Sequence, residues 1–100
     1  MLCALTVRTL KPGTFDQFRE AFMRPMESGS PPPGWVRFNM VRSAENPDEV
    51  VCFGFFDGSV EEMRASISDA REAQQREIEQ FVASTGADGV FDVVEDLAAD

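Results

Sequence analysis

The residues best equipped for chemistry in this chain lie in and around the stretch GWVRFNMVR, residues 34 to 42. Trp35 can stack on an aromatic ring. Asn39 and Thr6 can hydrogen-bond a carbonyl or hydroxyl, and Arg37 or Arg8 can stabilise an enolate or phenolate, because a cation beside a phenol favours its anion. Asn39 and Arg37 are therefore the candidate catalytic residues, and Trp35, Thr6 and Arg8 are candidates for holding a substrate. Two apart along a strand, Trp35, Arg37, Asn39 and Val41 share one face, while Val36, Phe38 and Met40 share the other. The plainer alternative for the first set is structural: Arg8 pairs with Asp92 across neighbouring strands, Arg37 meets an acidic group of a second subunit, and Trp35 plugs an interface.

The absences narrow the chemistry further. The chain has no His and no Tyr, which removes the commonest general base, the commonest metal ligand and any histidine-centred triad. Cys3 and Cys52 sit in strand-like runs without C-x-x-C spacing and read as reduced, buried thiols. They fall on opposite strand faces, and the carboxylates crowd the helices and the tail EDLAAD, where solvation explains them, so no metal site is expected. With 18 acidic against 9 basic residues the formal net charge is -9. That balance excludes the phosphate-neutralising electrostatics of nucleic-acid binding and attraction to anionic membranes. The start, MLCALTVRTL, reads as neither a signal peptide nor a span, and the expected location is cytoplasmic.

The elements that must position these residues follow from periodicity. One hundred residues with 43% hydrophobic and 27% charged content make a single domain over 1–100. Residues 2 to 10 alternate as a strand, stopped by KPGT. Thr14 with Gln17 forms a capping-box pattern, and Phe15, Phe18 and Phe22 follow at helical spacing, predicting a helix from about 14 to 24. Residues 25 to 34, PMESGSPPPG, hold four of the six prolines and read as a stiff connector that cannot be helix interior, or as a lid over a site beside Trp35. Strands at 35–43 and 49–56 form a hairpin around SAENPD. Gly54 marks a bulge or a close approach by a ligand or another backbone. Ser59 with Glu62, and Asp69 with Glu72, open helices over about 59–67 and 69–84, the second burying Ala70, Ala73, Ile78, Phe81 and Val82. Gly86 stops that helix, and GVFDVVEDL, residues 89 to 97, gives a last strand.

The order β-α-β-β-α-β is the ferredoxin-like split pattern: an α+β fold with a four-stranded antiparallel sheet and both helices on one face. Leu5, Val7, Phe38, Phe53, Phe55, Phe91 and Val93 are expected to face those helices. The opposite face then collects Thr6, Arg8, Trp35, Arg37, Asn39, Val41, Val50, Cys52, Gly54, Phe56, Asp92 and Val94. It is too apolar to stay solvated in a monomer.

VRTLKPGTFDQF resembles the strand, K-P-G turn and helix that open the antibiotic-biosynthesis-monooxygenase-like members of the dimeric α+β barrel superfamily. NPDEVVCFGFFDGSVEEMRAS is similar to their hairpin and the run into their second helix. The resemblance implies a homodimer in which two sheets pack face to face, with a small cavity between each sheet and its helices or loops. It further implies a cofactor-independent monooxygenase acting on a small aromatic or polyketide-like substrate. Family members use an Asn on the first strand, a Trp ending the third and often a Tyr or His nearby. Here the first-strand slot holds Ala4 or Thr6, the Trp slot holds Phe56, which joins the substrate-binding candidates, and the helix His slot holds Ala65 or Ser66. Those departures leave a second expectation beside the first, a non-catalytic dimeric protein that binds a small ligand or serves as an accessory.

Overall fold

A computed structural model of the protein describes residues 1–27, 29 and 31–98. The first strand, β1 (Leu2–Leu10), stops at the Lys11–Pro12–Gly13 turn, where Gly13 adopts φ 76°, a conformation without penalty only for glycine. Helix α1 (Phe15–Glu27) follows. The Thr14 hydroxyl donates to the Lys11 carbonyl at 2.7 Å, so it serves the preceding turn and not the helix end that the Thr14–Gln17 pattern predicts. The helix also runs past its expected stop at 24, through Pro25, to Glu27. A proline in the last turn forfeits little of the helical ladder, and Met23 and Met26 on the same turn pack against the core. Of the expected connector over 25–34, Ser28 and Ser30 lie outside the described residues.

Strands β2 (Trp35–Arg42) and β3 (Glu49–Phe56) form the expected hairpin. Its turn is held as SAENPD suggests: Ser43 Oγ accepts from the backbone N–H groups of Glu45 and Asn46, and Asn46 Oδ1 accepts from that of Asp48. Helix α2 (Val60–Ala65) carries the predicted capping box, with Ser59 Oγ accepting from Glu62 N–H and Glu62 Oε1 accepting from Ser59 N–H, both at 3.1 Å. Ser59→Ala is expected to cost about 1 kcal/mol, read as a lowered midpoint in a urea melt. After a break at Ser66–Ser68, helix α3 (Asp69–Glu79) is capped by Ser68, one residue before the predicted position.

The second half of α3 departs from expectation. The helix ends at Glu79, and β4 occupies Val82–Asp92, where a helix tail and a glycine stop were read. Ala70 and Ala73 are exposed; α3 buries Gln74 and Ile78 instead. Small and polar residues in VASTGADGVFD hide the alternation, and the pairing with β1 shifts register between Thr6 and Arg8 and again between Thr9 and Leu10, which breaks the period of two. Residues 93–98 have no regular structure, and Val94 and Leu97 are exposed.

The antiparallel sheet has the order β2-β3-β1-β4, the ferredoxin-like arrangement. Its helix-facing side is the reverse of the one expected. Leu2, Arg8, Leu10, Val50, Cys52 and Phe56 are buried there, in one cluster with Phe18, Ala21, Phe22 and Ile78 and a smaller one with Met63. Leu5, Val7, Phe53, Phe55 and Phe91 occupy the open side, where the ladder pairs Leu5 with Phe53, Val7 with Val51, and Cys3 with both Phe55 and Phe91. Val93 of the expected set lies beyond β4; Phe38 turns toward the helices, and a bulge between Trp35 and Arg37 puts Trp35 on that side with it. No helix among the described residues is long and apolar enough to cross a membrane.

Candidate functional site

The gap between α1 and the edge strand β2 is a half-open cavity of about 440 Å³. Helix α1 contributes Phe15, Phe22, Met23 and Met26 at helical spacing, and β2 contributes Phe38 and Met40 two apart, so both elements turn apolar faces inward. Three polar groups complete the wall: Arg19, Asn39 and Arg42. The Arg42 guanidinium lies 4.4 Å from the centroid of the Phe15 ring, a cation–π contact that fixes a positive charge at the mouth. Among the described residues no carboxylate lines this cavity, although the chain carries 18 of them. Such a wall suits a flat, electron-rich or anionic aromatic molecule.

A second opening, about 580 Å³, lies between Pro32, Pro33 and Gly34 on one side and α2 on the other, floored by Phe56 and edged by Asp57, Glu62 and Ser66. The two openings are divided by an aromatic layer. Trp35 stacks on Phe38 at 5.0 Å between ring centroids and meets Phe56 edge-on at 5.1 Å. Its indole N–H donates to Ser66 Oγ at 3.0 Å, and that hydroxyl donates to the Met63 carbonyl. Trp35 thus has one ring face stacked on Phe38, an edge contact with Phe56 and its one donor occupied by the protein. Gly54 explains the tightness, since a Cβ there would come within 2.8 Å of the Phe38 ring and 3.1 Å of Trp35. The close approach read from this glycine is made by aromatic side chains.

The sequence-predicted residues are divided by the sheet. Trp35, Thr6, Arg8 and Phe56 are on the helix side, whereas Arg37 and Asn39 pair with Phe55 and Phe53 on the open side, because the bulge at Trp35 shifts the alternation by one residue. Asn39 still reaches the cavity rim, since β2 is the edge of the sheet. Arg37 is exposed on the open face. Thr6 donates its hydroxyl to Asp88 Oδ1 at 2.9 Å. The expected Arg8–Asp92 pair does not form: Leu2 faces Asp92 and Arg8 faces Thr85, which separates the two by six residues of strand, about 20 Å. Burial instead surrounds Arg8, which is 4% exposed. Of the thiols, Cys52 is buried and Cys3 half-buried, and burial pushes both above the ordinary thiol range. Arg19, Arg42, Met23 and Met26 were missed as site residues; the signal was the row Phe38, Met40, Arg42 on one side of β2, facing the side of α1 that carries Phe15 and Phe22.

This fold is the one found in the antibiotic biosynthesis monooxygenases. The chain superposes on SnoaB, a cofactor-independent oxygenase from Streptomyces nogalater, with TM-score 0.79 over 98% of this chain and 97% of that one, at 16% identity. It superposes on a candidate antibiotic biosynthesis monooxygenase from Nitrosomonas europaea with TM-score 0.80 at 17% identity, over 95% and 100% of the two chains. A candidate of the same kind from Chloroflexus aurantiacus gives 0.77 at 16% identity, over 97% and 96%. No protein-family model matches the sequence, and no curated protein matches it. At these identities the likeness establishes the fold.

Proposed function

We propose that the protein is a cofactor-independent monooxygenase whose small aromatic or polyketide-like substrate occupies the cavity between α1 and β2. The observation that carries this reading is the wall itself: six apolar or aromatic side chains, two arginines and an asparagine, with no carboxylate among the described residues, in a chain of net charge -9. Arg42 and Arg19 would favour the ionised form of a phenol or enol, and Asn39 would hold a carbonyl or hydroxyl at the rim. An electron-rich carbanion of this kind can reduce oxygen directly: a ring CH2 becomes C=O, one oxygen atom enters the product, and the other leaves as water with the two hydrogens.

The test is oxygen uptake with a panel of anthrones and naphthalene-type quinols. Uptake above the buffer rate is expected, falling about 10-fold in Arg42→Gln and Asn39→Ala and unchanged in Arg37→Ala, which alters only the open face. Each lost contact of this kind is worth about 1–2 kcal/mol of transition-state stabilisation. A panel that gives only the buffer rate would overturn the reading in favour of a non-catalytic ligand-binding or accessory protein. One feature favours that second reading: the slots that hold Asn, Trp and His in the resembled family hold Ala4 or Thr6, Phe56, and Ala65 or Ser66, and the chain's only Trp is tied to Ser66.

We further propose that the open sheet face closes on a second copy of the chain. What supports this is its composition: Leu5, Val7, Val41, Val51, Phe53, Phe55 and Phe91 form one apolar surface, of which Phe91 is 49% and Val41 47% exposed in the single chain.

A further inference from the structure

We infer that Arg8 and Arg71 together hold a carboxylate group in the interior, between the sheet and the α1–α3 pair, at a site separate from the α1–β2 cavity. Arg8 projects from β1 beneath α1, with its guanidinium 5.8 Å from the centroid of the fully buried Phe18 ring. Its Nη1 is buried and has no hydrogen-bond partner among the described residues. Arg71, in the first turn of α3, lies 6.0 Å from the Phe22 ring, and Phe18 and Phe22 stack on one another at 5.9 Å. The two guanidinium groups therefore flank adjoining rings. They lie within each other's field: burial lowers the Arg71 pKa first, and the positive charge of Arg8 lowers it further. Both also act on the thiol of Cys52 from that side.

A buried guanidinium repelled by a second, half-buried one is an arrangement that a fold should not keep without an anion. The chain has carboxylates in excess, yet among the described residues the ion pairs belong to Arg24, on the surface with Glu20 and Glu77. The acidic side chain nearest in effect, Asp88, is exposed and accepts from Thr6. Arg71 is also held in place: its Nη1 donates to Gln74 Oε1, and the buried Gln74 donates in turn to the Phe22 carbonyl. That leaves Arg8 Nη1 and the remaining edge of Arg71 as donors. A planar carboxylate, with two oxygens and one charge, matches two guanidinium edges better than a bulkier, more highly charged phosphate. The carboxylate can belong to a free small acid or to the arm of a larger aromatic ligand.

The test is thermal unfolding and titration calorimetry of the whole protein with sodium formate and with sodium benzoate, at constant ionic strength balanced by sodium chloride. Saturable binding of one or both acids is expected, raising Tm by about 5 °C or more at saturation. Arg8→Met and Arg71→Met should each weaken binding at least 10-fold. Arg8→Met should also melt no lower than the unliganded parent, because it removes an unsatisfied buried charge. Binding of both acids would assign the site to a free small acid, and binding of benzoate alone to a larger aromatic carboxylate. If Arg8→Met does not fold, Arg71→Met on the half-exposed helix decides alone. Insensitivity of the parent to both acids, or binding that survives Arg71→Met, would overturn the inference. None of these readouts depends on oxygen uptake, so the site stands or falls apart from the oxygenase reading.

Discussion

Phe18→Ala is expected to cost the protein about 3–5 kcal/mol, the range for removing a buried aromatic ring from a packed core. Phe18 is 0% exposed. It joins α1 to the sheet in the larger of the two buried clusters, with Leu10, Phe22, Val50, Cys52 and Ile78 around it. The ring also covers Arg8, so its loss opens a hole whose wall includes the unpartnered Nη1 of that guanidinium. Water entering that hole would solvate the charge and recover part of the cost, which argues for the lower half of the range. Even so, about 3 kcal/mol is a large share of the 5–15 kcal/mol that usually holds a domain of this size together. A urea melt should show the midpoint falling with little change in slope. Phe38→Ala provides the contrast, because Phe38 is 39% exposed at the cavity wall and should cost less than half as much. Equal losses from the two variants would mean that the burial described here does not set the stability.

The contrast between Phe18 and Phe38 also shows what could be read from the sequence. Helical spacing placed Phe15, Phe18 and Phe22 on one side of α1 correctly, because a period of 3.6 has no competitor over that stretch. The hairpin and the Ser59 capping box were equally legible, since both rest on local chemistry between residues three or four apart. The side of the sheet that faces the helices was not legible. In β3 both alternate sets are apolar, Val51, Phe53 and Phe55 against Val50, Cys52, Gly54 and Phe56, so counting phenylalanines chose the wrong one. Where both faces of a strand are apolar, no polar face orients the sheet, and an error of one residue inverts every assignment. The bulge at Trp35 then split the candidate site, leaving Arg37 and Asn39 on the side away from Trp35, Thr6 and Arg8. The start of β4 was lost for a different reason, because its small residues and two register shifts leave no alternation to find.

The same inversion sharpens the expectation for Phe53→Asp. Phe53 lies on β3 of the open face, paired with Leu5 on β1 and Asn39 on β2, and its ring meets Phe55 edge-on at 5.9 Å. In a single chain this position is only half-covered, so an aspartate there can remain solvated and the protomer should still fold. In the proposed dimer it would be sealed between two sheets, and each protomer would bring one more negative charge to an apolar interface in a pair already carrying -9 per chain. An unpaired carboxylate moved from water to such a place either drives the partners apart or must be protonated at considerable cost. The dimer dissociation constant should rise by about 100-fold or more, equivalent to about 2.7 kcal/mol. Native mass spectrometry and sedimentation of the parent should give twice 11.1 kDa, and the variant should give a folded monomer with an unchanged circular dichroism spectrum. A parent that is monomeric at micromolar concentration would remove the second copy from the proposal. A variant that stays dimeric would move the interface to a different surface. Should the monomeric variant keep its oxygen uptake, the α1–β2 cavity would be complete within one chain, as its lining from α1 and β2 of the same protomer leads one to expect.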